Sequence, residues 1–182
     1  MGKLLYTLLV GLIGAAIIHI VIVFLVPFVT PQDAWTRMAA KADLYEVVPA
    51  SGSAPNAVPL AQDSNPFFRT AACRFDLADG IVRLSSAQPV PFWSFSIHDR
   101  NGYTTYSLTD RAASKGMLDV VISTPAQMVE LRRGMPAGLD QSIFVESTLN
   151  QGIVLLRVFM PDDSWTGGLD GFFADLRCEP SS

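Results

Sequence analysis

The chain has 182 residues, a formal net charge of −4 and a hydrophobic content of 49%. Its acidic balance, with no basic cluster larger than Arg132-Arg133, lacks the electrostatic signature of nucleic-acid binding, so no nucleic-acid partner is expected. Only two histidines and two cysteines are present, and there is no glycine-rich phosphate loop, GxSxG or CxxC motif. The sequence therefore predicts no metal site, no cofactor and no catalytic residue.

The first predicted element is a transmembrane anchor over residues 1–30. Residues 4–29 contain no aspartate, glutamate, lysine or arginine, and this run exceeds the roughly 20 residues that a helix needs to cross a bilayer. A cleaved signal peptide is the alternative, but its apolar core is typically only about 7–15 residues long. Here the small residues Gly14, Ala15 and Ala16 lie in the middle of the run rather than after it, which favours a retained anchor.

Small residues within the anchor predict contact with a second membrane helix. Gly11, Gly14 and Ala15 lie near one another on the helix surface and would permit close approach. His19 lies near the centre of the span, where an ionisable side chain is costly. We interpret it as a polar contact to a backbone carbonyl or a neighbouring helix, with proton chemistry as the alternative.

After the anchor, residues 31–48 are predicted to form an amphipathic juxtamembrane helix. Thr30 is the expected N-cap residue, and Pro31 stands at the first helical position. Apolar residues then recur at helical spacing, namely Trp35, Met38, Ala42 and Tyr45. Residues 49–65, rich in proline, serine and alanine, are predicted to be a linker.

Residues 66–182 carry the pattern of a β-rich domain. The clearest hairpin joins residues 91–98 to residues 103–108 through an Asn-Gly turn. In its first strand, large apolar residues alternate with polar ones and are assigned to the core: Trp93, Phe95 and Ile97.

The other elements of the domain are predicted from turn signals and apolar runs. Two further hairpins are expected, one from residues 73–77 and 81–85 and the other from residues 143–146 and 152–160. Residues 117–124 read as a central strand, followed by a helix with a capping box at residues 124–127 and by a terminal helix that ends at Cys178. The fold class is therefore mainly β, an antiparallel β-sandwich with short helices behind one N-terminal transmembrane helix.

The two cysteines, Cys73 and Cys178, bracket the folded part. This placement predicts a disulfide and an oxidising compartment, with two buried free thiols as the alternative. The short N-terminal tail with Lys3 is expected in the cytoplasm. We therefore expect a single-pass protein of the bacterial inner membrane with its domain in the periplasm.

Several stretches together resemble a known family. They are residues 90–99, 106–111, 118–121, 143–146 and 156–158, followed by Pro161 and Trp165. The combination resembles the bacterial domain of unknown function 1254 and its companion 1214, and more narrowly the short, membrane-anchored alphaproteobacterial version. The resemblance covers nearly the whole chain. It implies an all-β, jelly-roll-like domain and a membrane-tethered partner of the companion family, and it implies no catalytic residues.

Four residues around the clearest hairpin are candidates for a ligand site: His98, Asp99, Asp110 and Arg111. A Ser/His/Asp set with Ser94 or Ser96 is conceivable, but solvated turn residues are the commoner arrangement. In the family pattern an aromatic residue is expected at the position of His98.

Three functions are compatible with these features. The first is a non-enzymatic interaction or assembly subunit of a cell-envelope complex, such as a partner of a companion-family protein. The second is a periplasmic module that binds a glycan, a lipid or a small ligand, which would require a pocket. The third is an envelope enzyme, which would require a site built on His98 and Asp99.

Overall fold

The computed structural model describes residues 2–29, 33–50, 57–58, 60, 65–113 and 116–181. They fall into two compact units, Met1–Gln32 and Asp33–Ser182. The first unit contains helix α1, Gly2–Val29. Its Gly2–Val26 part is long and apolar enough to cross a membrane. Apolar side chains are exposed on all sides of this helix, and such a helix requires apolar surroundings.

The second unit is mainly β, as predicted, and contains two sheets packed face to face. The five-stranded sheet has the order β1-β2-β8-β4-β5 and the four-stranded sheet the order β7-β6-β3-β9. The strands are β1 (Val48–Pro49), β2 (Phe68–Asp76), β3 (Ile81–Ser86), β4 (Trp93–His98), β5 (Thr104–Thr109), β6 (Leu118–Ser123), β7 (Ile143–Glu146), β8 (Gln151–Phe159) and β9 (Arg177–Ser181). The helices are α2 (Ala34–Ala39), α3 (Pro125–Arg133) and α4 (Thr166–Asp175), with 3-10 turns at Asp110–Ala112 and Asp163–Trp165.

The main core lies between the two sheets. The predicted core face of β4 is confirmed, because Trp93, Phe95 and Ile97 are fully buried there while the residues between them are half-buried. The indole N–H of Trp93 donates to the carbonyl of Gly116 at 2.8 Å, so its one polar atom is satisfied. The β4–β5 hairpin also forms as predicted, with a bulge between Ile97 and His98.

The disulfide between Cys73 and Cys178 is present and joins the two sheets. Cys73 lies on β2 and Cys178 on β9, at the edge of the four-stranded sheet. The prediction that Cys178 ends the terminal helix is wrong, since α4 ends at Asp175 and the chain continues as a strand. The disulfide is typical of an oxidising compartment.

Two of the three predicted hairpins are wrong. β3 does not return along β2 but pairs with β6 and β9 in the other sheet. Likewise, β7 pairs with β6 as the single parallel pair in the described sheets, whereas β8 inserts between β2 and β4. In both cases the turn carries the chain across the core from one sheet to the other, which local turn chemistry cannot distinguish from a hairpin.

The predicted helix over residues 31–48 is much shorter than expected. α2 spans only Ala34–Ala39, and its N-cap is Asp33, whose carboxylate accepts the amide of Thr36 at 2.7 Å. The chain then turns through Tyr45, which has a φ of +65°, and its amide donates to the carbonyl of Arg74 at 2.9 Å. Because the segment after α2 is hydrogen-bonded to β2, the helix does not continue to residue 48. The expected cap at Thr30 lies outside the described residues.

The predicted linker over residues 49–65 is partly incorporated into the fold. Pro49 belongs to β1, and the amide of Ala50 donates to the carbonyl of Thr70 at 2.8 Å. Ala57 and Val58 are buried as well. The remaining linker positions lie outside the described residues, apart from residues 60 and 65.

Candidate functional site

The outer face of the five-stranded sheet is built from cross-strand rows of side chains. The register of β2, β8, β4 and β5 places four residues in each row. The rows are Arg74, Ile153, His98 and Thr104; Ala72, Leu155, Ser96 and Ser107; and Thr70, Arg157, Ser94 and Thr109. The face therefore carries its apolar residues, Ala72, Ile153 and Leu155, on β2 and β8, beside Thr70 and the two arginines, and is rich in hydroxyl groups towards β4 and β5.

The apolar half of this face is covered by the segment around α2. A second core cluster joins it to the sheet and consists of Ala34, Trp35, Met38, Ala42, Val48, Ala50, Val58, Ala72, Ile153 and Leu155. Arg74 fixes this cover, because its guanidinium donates to the carbonyl of Ala42 at 2.6 Å and lies 5.0 Å from the ring centroid of Trp35. Burial lowers the pKa of Arg74.

The hydroxyl-rich half of the face is open and forms a groove of about 480 Å³. We call this depression the polar groove; it is lined by Ser94, Phe95, Ser96, His98, Thr104, Ser107, Leu108, Thr109, Leu155 and Arg157. The ring of Phe95 belongs to the inner core, so no aromatic ring of a described lining residue floors the groove. No carboxylate is among the lining residues that the structure describes.

His98 and Ser96 form a hydrogen-bonded pair inside the polar groove. Nδ1 of His98 lies 3.1 Å from the carbonyl oxygen of Gly102, which can only accept, so Nδ1 carries the proton in the neutral ring. Nε2 is then the acceptor for the hydroxyl of Ser96 at 2.9 Å. That hydroxyl has a second acceptor in the carbonyl of Leu155 at 3.3 Å.

Ser96 and His98 thus have the spacing of a nucleophile and a base, but two usual parts of a catalytic site, an oxyanion-stabilising amide and an orienting carboxylate, are not seen beside them among the described residues. Backbone N–H groups of β4 lie in the plane of the sheet, directed at β5 and β8, and not towards a ligand above the face. They cannot stabilise an oxyanion there. Asp99 does not orient the imidazole either, because its carboxylate accepts the amides of Asn101 and Tyr103 at 2.9 and 2.8 Å.

The four predicted ligand-site residues do not converge. Only His98 lines the polar groove. Asp99 caps the hairpin turn, whereas Asp110 and Arg111 lie at the far end of β5 in the 3-10 turn. Six strand residues separate these two ends, roughly 20 Å at about 3.3 Å per residue. The Ser/His/Asp set that the sequence made conceivable is therefore not assembled.

A smaller cavity of about 170 Å³ adjoins the polar groove. We call it the apolar pocket; it is lined by Ala34, Leu60, His98, Gly102, Ile153, Leu155 and Arg157. His98, Leu155 and Arg157 line both cavities, so the two are neighbours across the boundary between the covered and open halves of the face. The cover around α2 thus supplies one wall of a two-part site.

A larger open depression of about 570 Å³ lies at one end of the strands and includes Asp76 and Asp99. Both carboxylates are already engaged there. Asp76 accepts the amide of Ala78 at 2.9 Å and the side chain of Gln151 at 2.6 Å, and Asp99 caps its turn. Among the described residues there is no group of three or more histidine, cysteine or acidic side chains placed to hold a metal ion.

Several residues of the site escaped prediction from the sequence. Arg157, Leu155, Ser107 and Thr109 reach it only through the pairing of β8 with β4 and of β4 with β5. The alternation along residues 104–109 was a usable signal for Ser107 and Thr109. For β8 there was none, because its expected partner was β7.

The small residues and His19 predicted to contact another helix all lie on α1. Gly11, Ala15 and His19 are exposed on that helix, and Gly14 is half-exposed. A Cβ atom at Gly11 or Gly14 would have no neighbour within 4 Å in the described structure. Their contact with a second helix stays a prediction.

No protein-family model and no curated protein matches the chain. Among solved structures, the VPA0106 protein of Vibrio parahaemolyticus is similar over 67% of this chain and 29% of its own, with 16% identity and a TM-score of 0.48. An uncharacterized protein from Burkholderia cenocepacia is similar over 72% of this chain and 35% of its own, with 17% identity and a TM-score of 0.47. The chain thus spans about a third of the length of these two proteins.

Proposed function

We propose that this chain is a membrane-anchored, non-enzymatic binding protein of the bacterial cell envelope, with its β-domain in the periplasm and a small-molecule site on the outer face of the five-stranded sheet. The observation that carries the proposal is the polar groove of about 480 Å³ beside the apolar pocket. Ligand sites are usually concave and combine apolar walls with a few polar groups, and the two adjoining cavities together supply both.

The chemistry of the groove favours binding over catalysis. The hydroxyls of Ser94, Ser107 and Thr109 have no hydrogen-bond partner within the described part of the chain, so they can bind a ligand without losing internal bonds. Ser96, in contrast, already bonds to His98, and no oxyanion-stabilising amide is seen beside it in the described part of the chain. A retained α1 and the disulfide support the placement at a membrane and in the periplasm.

The test of the proposal is which small molecules stay bound when the protein is extracted from its own membrane. The full chain is extracted in mild detergent, and small molecules released on denaturation are identified by mass spectrometry. Ser94→Leu fills the groove, and Gln141→Leu is the matched control on an exposed loop before β7. We expect a molecule that accompanies the parent and Gln141→Leu but not Ser94→Leu. Identical content in all three would contradict the proposal.

A second candidate, the assembly subunit, is favoured by β5, which is an edge strand of the five-stranded sheet as described. This six-residue strand contains no charge and no proline, and Tyr106 on it and Tyr103 before it are 41% and 73% exposed. Edge strands of this kind pair readily with another chain unless a charge blocks them. A companion-family protein is the proposed partner. Tyr106→Lys should then reduce the size of the detergent-extracted complex on a native gel, and an unchanged size would contradict this candidate.

A further inference from the structure

Resting on the proposed binding function, we infer that the ligand is a short amphiphile, whose aliphatic chain of about six carbons lies in the apolar pocket and whose polar end lies in the polar groove. The two cavities share His98, Leu155 and Arg157, so one small molecule can reach from one to the other. Ala34, on α2, is the residue that limits the length of the chain.

The volume of the apolar pocket sets the size of the aliphatic part. It is about 170 Å³, and the aliphatic walls among the described lining residues come from Ala34, Leu60, Ile153 and Leu155. An apolar cavity of about 150 Å³ is large enough to bind benzene, which has six carbon atoms. Each CH₂ group that leaves water for such a cavity is favourable, so affinity should rise as a chain fills the pocket and stop rising once the pocket is full.

The walls of the apolar pocket are held in place by packing. Ala34, Ile153 and Leu155 are buried and belong to one core cluster, against which Leu60 packs. Side chains in a close-packed cluster have little room to move aside for a longer chain. The pocket can therefore discriminate between ligands by size.

Contacts of the neighbouring residues fix the wall that α2 contributes. The ring centroid of Trp35, next to Ala34 in sequence, lies 5.0 Å from the guanidinium of Arg74 and 5.3 Å from that of Arg100. The amide of Trp35 also donates to the carbonyl of Arg100 at 3.3 Å. A Cβ atom at Gly102 would lie 3.7 Å from Cβ of Ala34, so α2 and the hairpin turn approach closely at this wall. A larger side chain at position 34 would therefore shorten the pocket.

The polar groove takes the other end of the ligand. The hydroxyls of Ser94, Ser107 and Thr109 line it, and each can both donate and accept a hydrogen bond. They can bind the oxygen atoms of an alcohol, an amide or an acid, so the aliphatic chain supplies the selectivity. Because the length of that chain is limited, the site takes soluble short-chain amphiphiles and excludes the long-chain lipids of the membrane.

The probes are the 1,2-alkanediols from butanediol to decanediol, which share one neutral polar end and differ only in chain length. Each is titrated into the full chain in phosphatidylcholine nanodiscs, and its free concentration is measured by dialysis because longer diols also enter the lipid. Binding is read from the NMR signal of the δ1 methyl of Ile153, a residue that lines the pocket, assigned with Ile153→Val. We expect affinity to rise about three- to fourfold per CH₂ group as far as octanediol, which has six carbons beyond the diol, and no further.

Two substitutions should move this limit in opposite directions. Ala34→Leu shortens the pocket, so the tightest diol should become hexanediol or a shorter one. Leu60→Ala lengthens it, so decanediol should bind more tightly than octanediol. Because Leu60 is only partly buried, this second variant should keep the fold even if Ala34→Leu does not. Ala39→Leu is the matched control, since it makes the same change at an exposed position of α2 and should leave the limit at octanediol.

Affinity that keeps rising from octanediol to decanediol in the parent would overturn the inference, as would a limit that neither Ala34→Leu nor Leu60→Ala moves. The proposed function would survive either result if the parent still carried a native molecule that Ser94→Leu lost. Absence of such a molecule, together with no shift of the Ile153 signal by any diol, would overturn both.

Discussion

Gly152 lies where β2, β8 and β4 come together. It lies on β8 opposite Phe75 and next to the His98 position of β4, and a Cβ atom there would lie 2.7 Å from Cζ of Phe75 and 2.9 Å from the carbonyl oxygen of His98. The backbone oxygen cannot move aside as a flexible side chain could. Glycine at this position therefore allows the tight packing beneath the candidate site.

Gly152→Ala should accordingly lower the free energy of unfolding by about 1–3 kcal/mol, the usual range for an overpacked core. Gly168→Ala is the control, because a Cβ in that part of α4 meets nothing within 4 Å and alanine favours a helix by about 1 kcal/mol. Thermal unfolding of the full chain in detergent measures both. A variant at position 152 as stable as the parent would contradict the packing described here.

Tyr45 joins the segment after α2 to the turn between β2 and β3. Its hydroxyl lies 2.8 Å from the carbonyl oxygen of Asp76 and 2.7 Å from a carboxylate oxygen of Asp79. Burial, followed by the hydrogen bond to Asp79, raises the pKa of Tyr45 to about 12. Because an unfolded tyrosine has a pKa near 10, the folded state favours the neutral phenol.

The stabilisation from Tyr45 should therefore be complete below about pH 10 and be lost as the pH rises through about 12. Tyr45→Phe removes the hydroxyl and should cost about 0.5–1.5 kcal/mol at neutral pH. Denaturant unfolding of parent and variant from pH 7 to 12 measures the difference, which should shrink above pH 10. A constant difference over that range would show that the phenol does not titrate as described.

At the scale of elements, the disulfide is the covalent link between the two sheets. It joins β2 to β9 across 105 residues of sequence, and neither strand pairs with the other. In the chain-entropy account a loop of this length stabilises a fold by up to about 4–5 kcal/mol. The link also holds β9, which has a single neighbour in its sheet.

Cys73→Ala/Cys178→Ala should lower the free energy of unfolding by about 2–5 kcal/mol and leave the tryptophan fluorescence of the folded state unchanged at low temperature. Chemical denaturation, monitored by tryptophan fluorescence, measures the stability of the variant, of the oxidised parent and of the reduced parent. Equal stability of the oxidised and reduced parent would show that the disulfide does not stabilise the fold.

The elements that were predicted correctly are those whose sequence signals lie in neighbouring residues. The β4–β5 hairpin was predicted because alternation and the Asn-Gly turn are written in adjacent residues. The capping box of α3 was predicted for the same reason and is present in full, with Thr124 and Gln127 bonded reciprocally. The pairing partners of β3, β7 and β8 are set by turns that cross from one sheet to the other, and the residues of these turns do not show which sheet the next strand joins.

The candidate site was predicted less well than the fold, for the same physical reason. His98 was found from its place on the polar face of β4, but Arg157 is 59 residues further along the chain and meets the groove only through the register of β8. The sequence around α2 predicted an amphipathic juxtamembrane helix. Its apolar stripe instead packs on the outer face of the sheet and forms the wall of the apolar pocket.

At the scale of the whole molecule, the proposed function combines a membrane anchor with a disulfide-bonded β-domain. α1 would keep the domain at the membrane, and the disulfide would form only where the domain is exported. A cleaved leader would release the domain, and a cytoplasmic domain would keep both thiols reduced. In either case the polar groove would be exposed to different ligands.

One measurement tests this directly: the intact mass of the protein taken from the membrane fraction of its own cells, with free thiols blocked at lysis by an alkylating reagent. We predict a chain that retains α1, lacks any alkyl adduct and weighs two hydrogen atoms less than the reduced form. A chain shortened by the length of α1, or one carrying two alkyl groups, would contradict the account.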